Sequence, residues 1–247
     1  MPFISILTHP TAGGVYAGLA NQADIAVAEP GAHIGFSAAR EPSGSATSGS
    51  GTNTAEFLRD HGLLDGVVDR TRLRELLAAL LDLFANRGAP RPTAPAPPTT
   101  PSPLRTFEEL ALARHAERPT ALDYVERMMP TFVELHGDRV SGDDPAVVCG
   151  FGRLGGVTVA LIAQERGRGE LHELRRGGRM APSGYRKAAR LMRLAGHLEI
   201  PLITFVDTPG AMSGADAEAG GMGVALGQAL GLMSILPVPV VTAIIGE

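Results

Sequence analysis

Apolar and polar positions repeat with two different periods along this chain, and the change of period marks its elements. Near the start, Phe3-Ile4-Ser5-Ile6-Leu7 follows Pro2; near the end, Val240-Val241-Thr242-Ala243-Ile244 follows Pro239. In each run the fourth residue, counted from the proline, carries a hydroxyl. Short apolar runs rich in β-branched residues and bounded by turn formers predict buried strands. The first continues into Thr11-Ala12-Gly13-Gly14-Val15, while the second stops at Gly246-Glu247, where a matching glycine pair is expected.

Asp24 to Pro30 predicts another short strand, followed by a turn at Gly31 and Gly35. Residues 41 to 54 are mostly Gly, Ser and Thr and predict a flexible loop. Leu73, Leu76, Leu77, Leu80, Leu81 and Phe84 recur at helical spacing, so a helix capped by Thr71 and ending at Gly88 is expected. Residues 88 to 103 then hold seven prolines, a composition that forms neither helix nor ladder and suits an extended spacer. The chain divides accordingly into segments 1 to 87 and 104 to 247.

In the second segment, Thr120-Ala121-Leu122-Asp123 resembles a capping box and starts a helix expected to reach Leu135, bent at Pro130. Val147 to Leu154 and Val157 to Gln164 flank Gly155-Gly156, a two-residue hairpin pattern. A helix over 183 to 198, a strand over 202 to 206, a helix over 218 to 236 and the final strand complete an α/β succession.

Composition narrows the chemistry. The 247 residues are 44% hydrophobic but only 4% aromatic, so the core is aliphatic, and a net charge of -4 gives no sign of a nucleic-acid partner. Cys149 is the single cysteine, which rules out an internal disulfide or zinc ribbon. No apolar run reaches the roughly 18 residues of a membrane span and no signal peptide is apparent, so a cytoplasmic protein is expected.

Asp207-Thr208-Pro209-Gly210 follows a strand as in a GTPase, but no phosphate loop accompanies it. A plain strand-to-helix turn is one alternative; backbone N–H groups of Gly210 and Ala211 offered to an anion are another. Gly13-Gly14 presents the same choice, because Val15 to Ala20 continues as a small-residue helix start. His9 beside that turn is a candidate general base, or simply structural, since no nucleophile of recognisable context accompanies it. His136-Gly137-Asp138 and Asp143-Asp144 suggest a metal only weakly, as turn formers of this kind are common. The cluster Arg166, Arg168, Arg175, Arg176, Arg179, Arg186 and Lys187 suits a phosphate-bearing ligand or a solvated helix face.

Longer motifs now carry a resemblance. Pro2 to Val15, Ala28-Glu29-Pro30, Ile34-Gly35-Phe36 and Ala55 to Leu58 resemble the C-terminal half of the β subunit of bacterial acetyl-CoA carboxylase carboxyltransferase. Arg118 to Tyr124, Glu134 to Arg139, Gly142 to Ala146, Gly184 to Ala188 and Phe205 to Ala211 resemble the N-terminal half of its α subunit. The order β then α resembles the fused form of the enzyme.

This resemblance implies a crotonase-like superhelix of strand-strand-helix repeats, and a transfer of the carboxyl group from carboxybiotin on a carrier protein to acetyl-CoA, giving malonyl-CoA. It implies biotin and acetyl-CoA as the cofactor and substrate, no metal in this chain, and biotin carboxyl carrier protein, biotin carboxylase and further carboxyltransferase chains as partners. The chemistry rests on two backbone oxyanion holes. Gly13 and Gly14 match one, expected to hold the ureido oxygen of biotin; Gly210 and Ala211 would line the other half-site. Arg40, Arg168, Arg186 and Lys187 are the implied substrate contacts.

The chain also departs from the pattern. It lacks the zinc ribbon and first half of the β-type fold, Gly220 replaces an arginine, Met212-Ser213 replaces an aromatic-Pro pair, and it ends before the α-type glycine-rich loop. The alternative expectation is a truncated, non-catalytic relative that binds carboxylase partners. The twin ends add a third: the two segments pair as one circularly permuted unit.

Overall fold

The computed structural model describes residues 2–36, 52–85, 87–88 and 106–246. Most of the expected Gly/Ser/Thr loop, and the proline run from residue 89 on, lie outside the described residues. In chain order the first segment forms β1 (Ile4–Leu7), β2 (Thr11–Ala12), α1 (Gly13–Gly18), β3 (Ile25–Ala28), β4 (Ile34–Gly35), α2 (Ala55–Asp60), β5 (Gly66–Val67) and α3 (Arg70–Ala85). The second forms α4 (Thr106–Ala113), α5 (Ala121–Met128), β6 (Phe132–Glu134), β7 (Val147–Leu154), β8 (Val157–Gln164), α6 (Glu170–Leu174), α7 (Pro182–Leu198), β9 (Leu202–Val206), α8 (Ala215–Ala219), α9 (Met222–Ser234) and β10 (Val240–Ile244).

The main sheet runs β10-β9-β8-β7-β6. Its hairpin β7–β8 pairs antiparallel over all eight residues of each strand, and Gly155 and Gly156, both at positive φ, form the predicted turn. β8, β9 and β10 are parallel, joined by crossovers through α6 and α7 and through α8 and α9. Period-two alternation splits the sheet's side chains between two cores. Val147, Cys149, Phe151, Ala160 and Ile162 face α7 and α3, while Val148, Val159, Leu161 and Ala163 face α5.

Three sequence expectations are corrected. The helix from Thr120 stops at Met128, because Pro130 removes a donor and pushes Met129 into an extended conformation (φ −121°, ψ 90°). Phe132–Glu134 becomes an edge strand on β7, at a place where glycine is needed: a Cβ on Gly150 would lie 2.3 Å from the Val133 carbonyl oxygen. The helix expected over 218 to 236 is two helices, broken where Gly221 takes φ +77°. Finally, α3 is capped by Asp69, which accepts from Thr71 N (2.9 Å) and Oγ1 (2.6 Å), and it ends at Ala85. Its buried stripe is Leu73, Leu80, Leu83 and Phe84, whereas Leu81 is 55% exposed.

The two segments share one core, although each also has an apolar cluster of its own. Ile25 and Val27 of β3 and the α3 stripe lie in one cluster with Leu135, Phe151 and the apolar face of α7. Phe84 meets Phe151 edge to face, with ring centroids 5.1 Å apart. The α3 terminus is tied to the hairpin by Thr158 Oγ1 donating to Leu83 O (2.8 Å) and Thr158 N donating to Arg87 O (2.9 Å). The small sheet β1-β3-β5 and the main sheet keep separate ladders, so the twin strands β1 and β10 are each an edge strand with a parallel neighbour on one side.

Candidate functional site

β2 pairs with β4, Thr11 opposite Ile34 and Ala12 opposite Gly35, and α1 begins directly after it. Thr11 is buried and anchors this turn, donating Oγ1 to Thr8 O (2.7 Å) and N to His33 O (3.0 Å). Gly13 has φ +60°, which favours glycine, and a Cβ at Gly13 or Gly14 would meet nothing within 4 Å. The glycine pair therefore starts a helix in open space, where the first N–H groups have no intrahelical acceptor. His9 accepts the His33 N–H at Nδ1 (3.2 Å), so its role here is to hold the turn.

The turn after β9 differs from expectation. Thr208 Oγ1 accepts the Gly210 N–H (3.2 Å) and donates to Gly210 O (2.7 Å), so the Gly210 donor is engaged within its own turn. No helix starts here: α8 begins at Ala215, behind Gly214 at φ +104°. None of the described cavities is lined by both glycine turns.

The implied substrate contacts are mostly engaged in internal bonds. Arg168 donates to Asp123 and to Arg118 O, both at 2.7 Å. Arg186 donates to Asp138 (2.7 Å), Ser141 Oγ (2.9 Å) and Gly220 O (3.2 Å), the last being the position where the resemblance expects arginine. Lys187 is 2% exposed, with Nζ 2.6 Å from Asp143 and 3.0 Å from Val147 O. Arg40 lies outside the described residues.

The acidic residues of the His136–Asp144 stretch serve as anchors. Asp138 accepts from the backbone N–H groups of Val140, Ser141 and Gly142, and Asp144 from Ala146 and Ala181. Among the described residues, no three His, Cys, Asp or Glu side chains are arranged to hold a metal ion. His136 Nδ1 lies 2.8 Å from Asp143, and that hydrogen bond raises its pKa against the opposing effect of burial. Burial pushes the Cys149 thiol up to about 12, so it is no thiolate nucleophile at neutral pH.

Sequence reading missed the pair that fixes the carboxyl end of the sheet. Asp207, 2% exposed, is bound by both terminal nitrogens of Arg118 and donates its own backbone N–H to the side-chain Oε1 of Gln164 (3.0 Å). Arg118 also donates to Ile245 O (3.4 Å), and a Cβ on Gly246 would fall 2.2 Å from Asp207 Oδ1. The signal was present in Arg118-Pro119-Thr120, but 89 residues separate the partners, and only folding joins them.

The family model for acetyl co-enzyme A carboxylase carboxyltransferase-like proteins matches residues 98–247. The acetyl-coenzyme A carboxylase carboxyl transferase subunits beta/alpha of Saccharopolyspora erythraea are 44% identical over 251 residues, covering 99% of this chain and 44% of the relative. Those of Parafrankia sp. are 40% identical over 273 residues, with the same coverage of 99% and 44%. The alpha subunit of Cyanidium caldarium is 43% identical over 145 residues, covering 58% of this chain and 45% of its own length. The chain thus spans less than half the length of these curated relatives.

Among solved structures, a single-chain, multi-domain long-chain acyl-CoA carboxylase superposes with a TM-score of 0.72 at 23% identity, covering 99% of this chain and 23% of that one. Transcarboxylase 12S, with methylmalonyl-coenzyme A and methylmalonic acid bound, also gives 0.72, at 21% identity, covering 98% and 47%. The crotonase-like α/β fold expected from the sequence is the fold shared with these two proteins. With a family model over more than half its length and β/α relatives running across both segments, the chain belongs to the acetyl-coenzyme A carboxylase carboxyltransferase-like family.

Proposed function

We propose that this chain is the carboxyltransferase component of a biotin-dependent acetyl-CoA (acyl-CoA) carboxylase, with a β-type segment (1–87), a spacer (88–103) and an α-type segment (104–247). Its reaction moves the carboxyl group from carboxybiotin on a carrier protein to acetyl-CoA, giving malonyl-CoA for fatty acid or polyketide synthesis. The observation that carries this reading is the Gly13-Gly14 turn, a left-handed glycine opening a helix start toward empty space. Such N–H groups hold a developing oxyanion without a side-chain nucleophile. Biotin, when bound, supplies the transferable carboxyl group, and the Gly13 and Gly14 N–H groups would hold its ureido oxygen. Ala211 would contribute to the second half-site, with Gly210 joining only if Thr208 releases its N–H.

The reading sets the protein in the cytoplasm, working with biotin carboxyl carrier protein, biotin carboxylase and further carboxyltransferase chains as an oligomer. Among the described residues no helix is long and apolar enough to cross a membrane. The test is a carboxyltransfer assay with carboxybiotin and acetyl-CoA, on this chain alone and with candidate partner chains. Activity in some combination is expected, and Gly13→Val should lower it about 100-fold or more. Absence of activity in every combination refutes the reading. The second reading, a non-catalytic relative that binds carboxylase partners, draws on the engaged Gly210 donor; it predicts partner binding that Gly13→Val leaves unchanged.

A further inference from the structure

The seven basic residues between Arg166 and Lys187 are not equivalent once folded. Five face carboxylates: Arg168 meets Asp123 (2.7 Å), Arg175 meets Glu165 (3.5 Å), Arg186 meets Asp138 (2.7 Å), Lys187 meets Asp143 (2.6 Å), and Arg176 meets Asp144. Among the described residues, Arg166 and Arg179 have no carboxylate partner. Arg166 donates, among the described residues, only a long bond to His115 O (3.4 Å), and its buried Nε has no acceptor. Arg139 Nη1 and Arg175 Nε and Nη1 are buried without an acceptor as well, so this cost of about 1–3 kcal/mol per donor is shared; what sets Arg166 apart is that it lines a cavity beside a second arginine.

Both arginines line one cavity of about 370 Å³, together with His172, Arg118, Asp207 and Pro209. The one carboxylate among these six, Asp207, already has both oxygens on Arg118. What remains facing the cavity is positive. Two glycines set this geometry. Gly177 (φ +60°) passes beside the His172 ring, where a Cβ would lie 3.0 Å from Cε1, and Gly178 (φ +86°) lies against Asp207 O, where a Cβ would come within 2.2 Å. Side chains at these positions would push Arg179 away from the carboxyl end of β9. Arg176 Nε also donates to Arg179 O (3.1 Å), which fixes the backbone that presents this arginine.

We propose that Arg166 and Arg179, with His172 on the rim, form a binding site for a phosphate group. Guanidinium pairs bind phosphate by charge-assisted, often bidentate bonds, and a partly enclosed site strengthens them. The cavity exceeds the roughly 30 Å³ share of one water by an order of magnitude, so it has room for a phosphate ester as well as the free ion. The proposal does not depend on carboxyl transfer, since binding is read without turnover.

Calorimetric titration of the whole chain with inorganic phosphate and, separately, with coenzyme A tests it. Saturable one-site binding of at least one probe is expected, weakened about tenfold or more in the Arg166→Gln/Arg179→Gln variant, as the loss of one to two charge-assisted bonds implies. Arg127→Gln, an exposed arginine at the end of α5, should bind like the original. Tighter binding of coenzyme A assigns the site to an esterified phosphate; equal binding assigns it to the free ion. Should the double variant fail to fold, as judged by its thermal unfolding, Arg179→Gln alone decides, because that side chain is exposed. Absence of saturable binding by either probe, or equal binding by the variant, overturns the proposal.

Discussion

Asp65 is the residue on which the two segments meet most directly. It is 4% exposed, accepts the Ala26 N–H at 2.8 Å, and pairs with Arg190 (2.9 Å) and with Arg139 from the other segment. Arg190 also donates to His136 O (3.1 Å) and Asp24 O (2.9 Å). Removing this carboxylate leaves two guanidinium groups in place with no counter-charge. Asp65→Ala is therefore expected to cost about 3 kcal/mol, the lower end for a buried pair because both arginines keep some contact with water. Urea unfolding measures it, and an unchanged midpoint contradicts the assignment.

His136 and Asp143 make a pH prediction at the same scale. The hydrogen bond to Asp143 raises the His136 pKa, so its stabilising contribution is complete below about pH 6.5 and is lost as pH rises through the raised value. Asp143 is shifted the other way. Burial would raise its pKa, but the His136 hydrogen bond and Lys187 outweigh burial and hold it below the usual carboxylate range. Its contribution is present above about pH 4 and fades on acidification. In His136→Gln, unfolding free energy measured from pH 6 to 9 should lose its decline with rising pH; a profile parallel to the original would contradict this.

At the scale of elements, the segments touch backbone to backbone at glycines. Gly137 (φ +78°) sits where a Cβ would come 2.1 Å from Gly62 O, and the Arg139 N–H donates to that same oxygen at 2.9 Å. Gly137→Ala combines a left-handed conformation with a collision against main chain, so it should destabilise by at least about 1–2 kcal/mol. Gly227, inside α9 with nothing within 4 Å of its Cβ position, is the contrasting case. There alanine should stabilise by about 0.5–1 kcal/mol. Thermal unfolding of the two variants checks both signs.

At the scale of the whole molecule, the shared core makes the spacer dispensable for cohesion. A protease site inserted between residues 89 and 105 and then cleaved should leave two fragments that co-elute in gel filtration and part only in denaturant. The α3 stripe, the Phe84–Phe151 contact and the Asp65 cluster all cross the cut. Fragments that separate in buffer would rule out the single-unit arrangement.

The sequence alone determined what local chemistry decides. Apolar runs became β1, β3 and β9, the Gly155-Gly156 pair became the hairpin turn, Thr120 and Asp123 formed their cap with a 2.6 Å bond, and the motifs identified the family. It misjudged the stretch after Pro130, because a strand that exists only by pairing with β7 has no local signature. It also offered Arg168, Arg186 and Lys187 as substrate contacts, since spacing does not show which carboxylate each one meets. Only the tertiary structure decided that Lys187 is a buried anchor, that Asp207 is held by Arg118, and that Arg166 and Arg179 line one cavity without carboxylate partners among the described residues. Those facts rest on contacts between residues tens of positions apart, which become neighbours only when burial of the common core brings the two segments together.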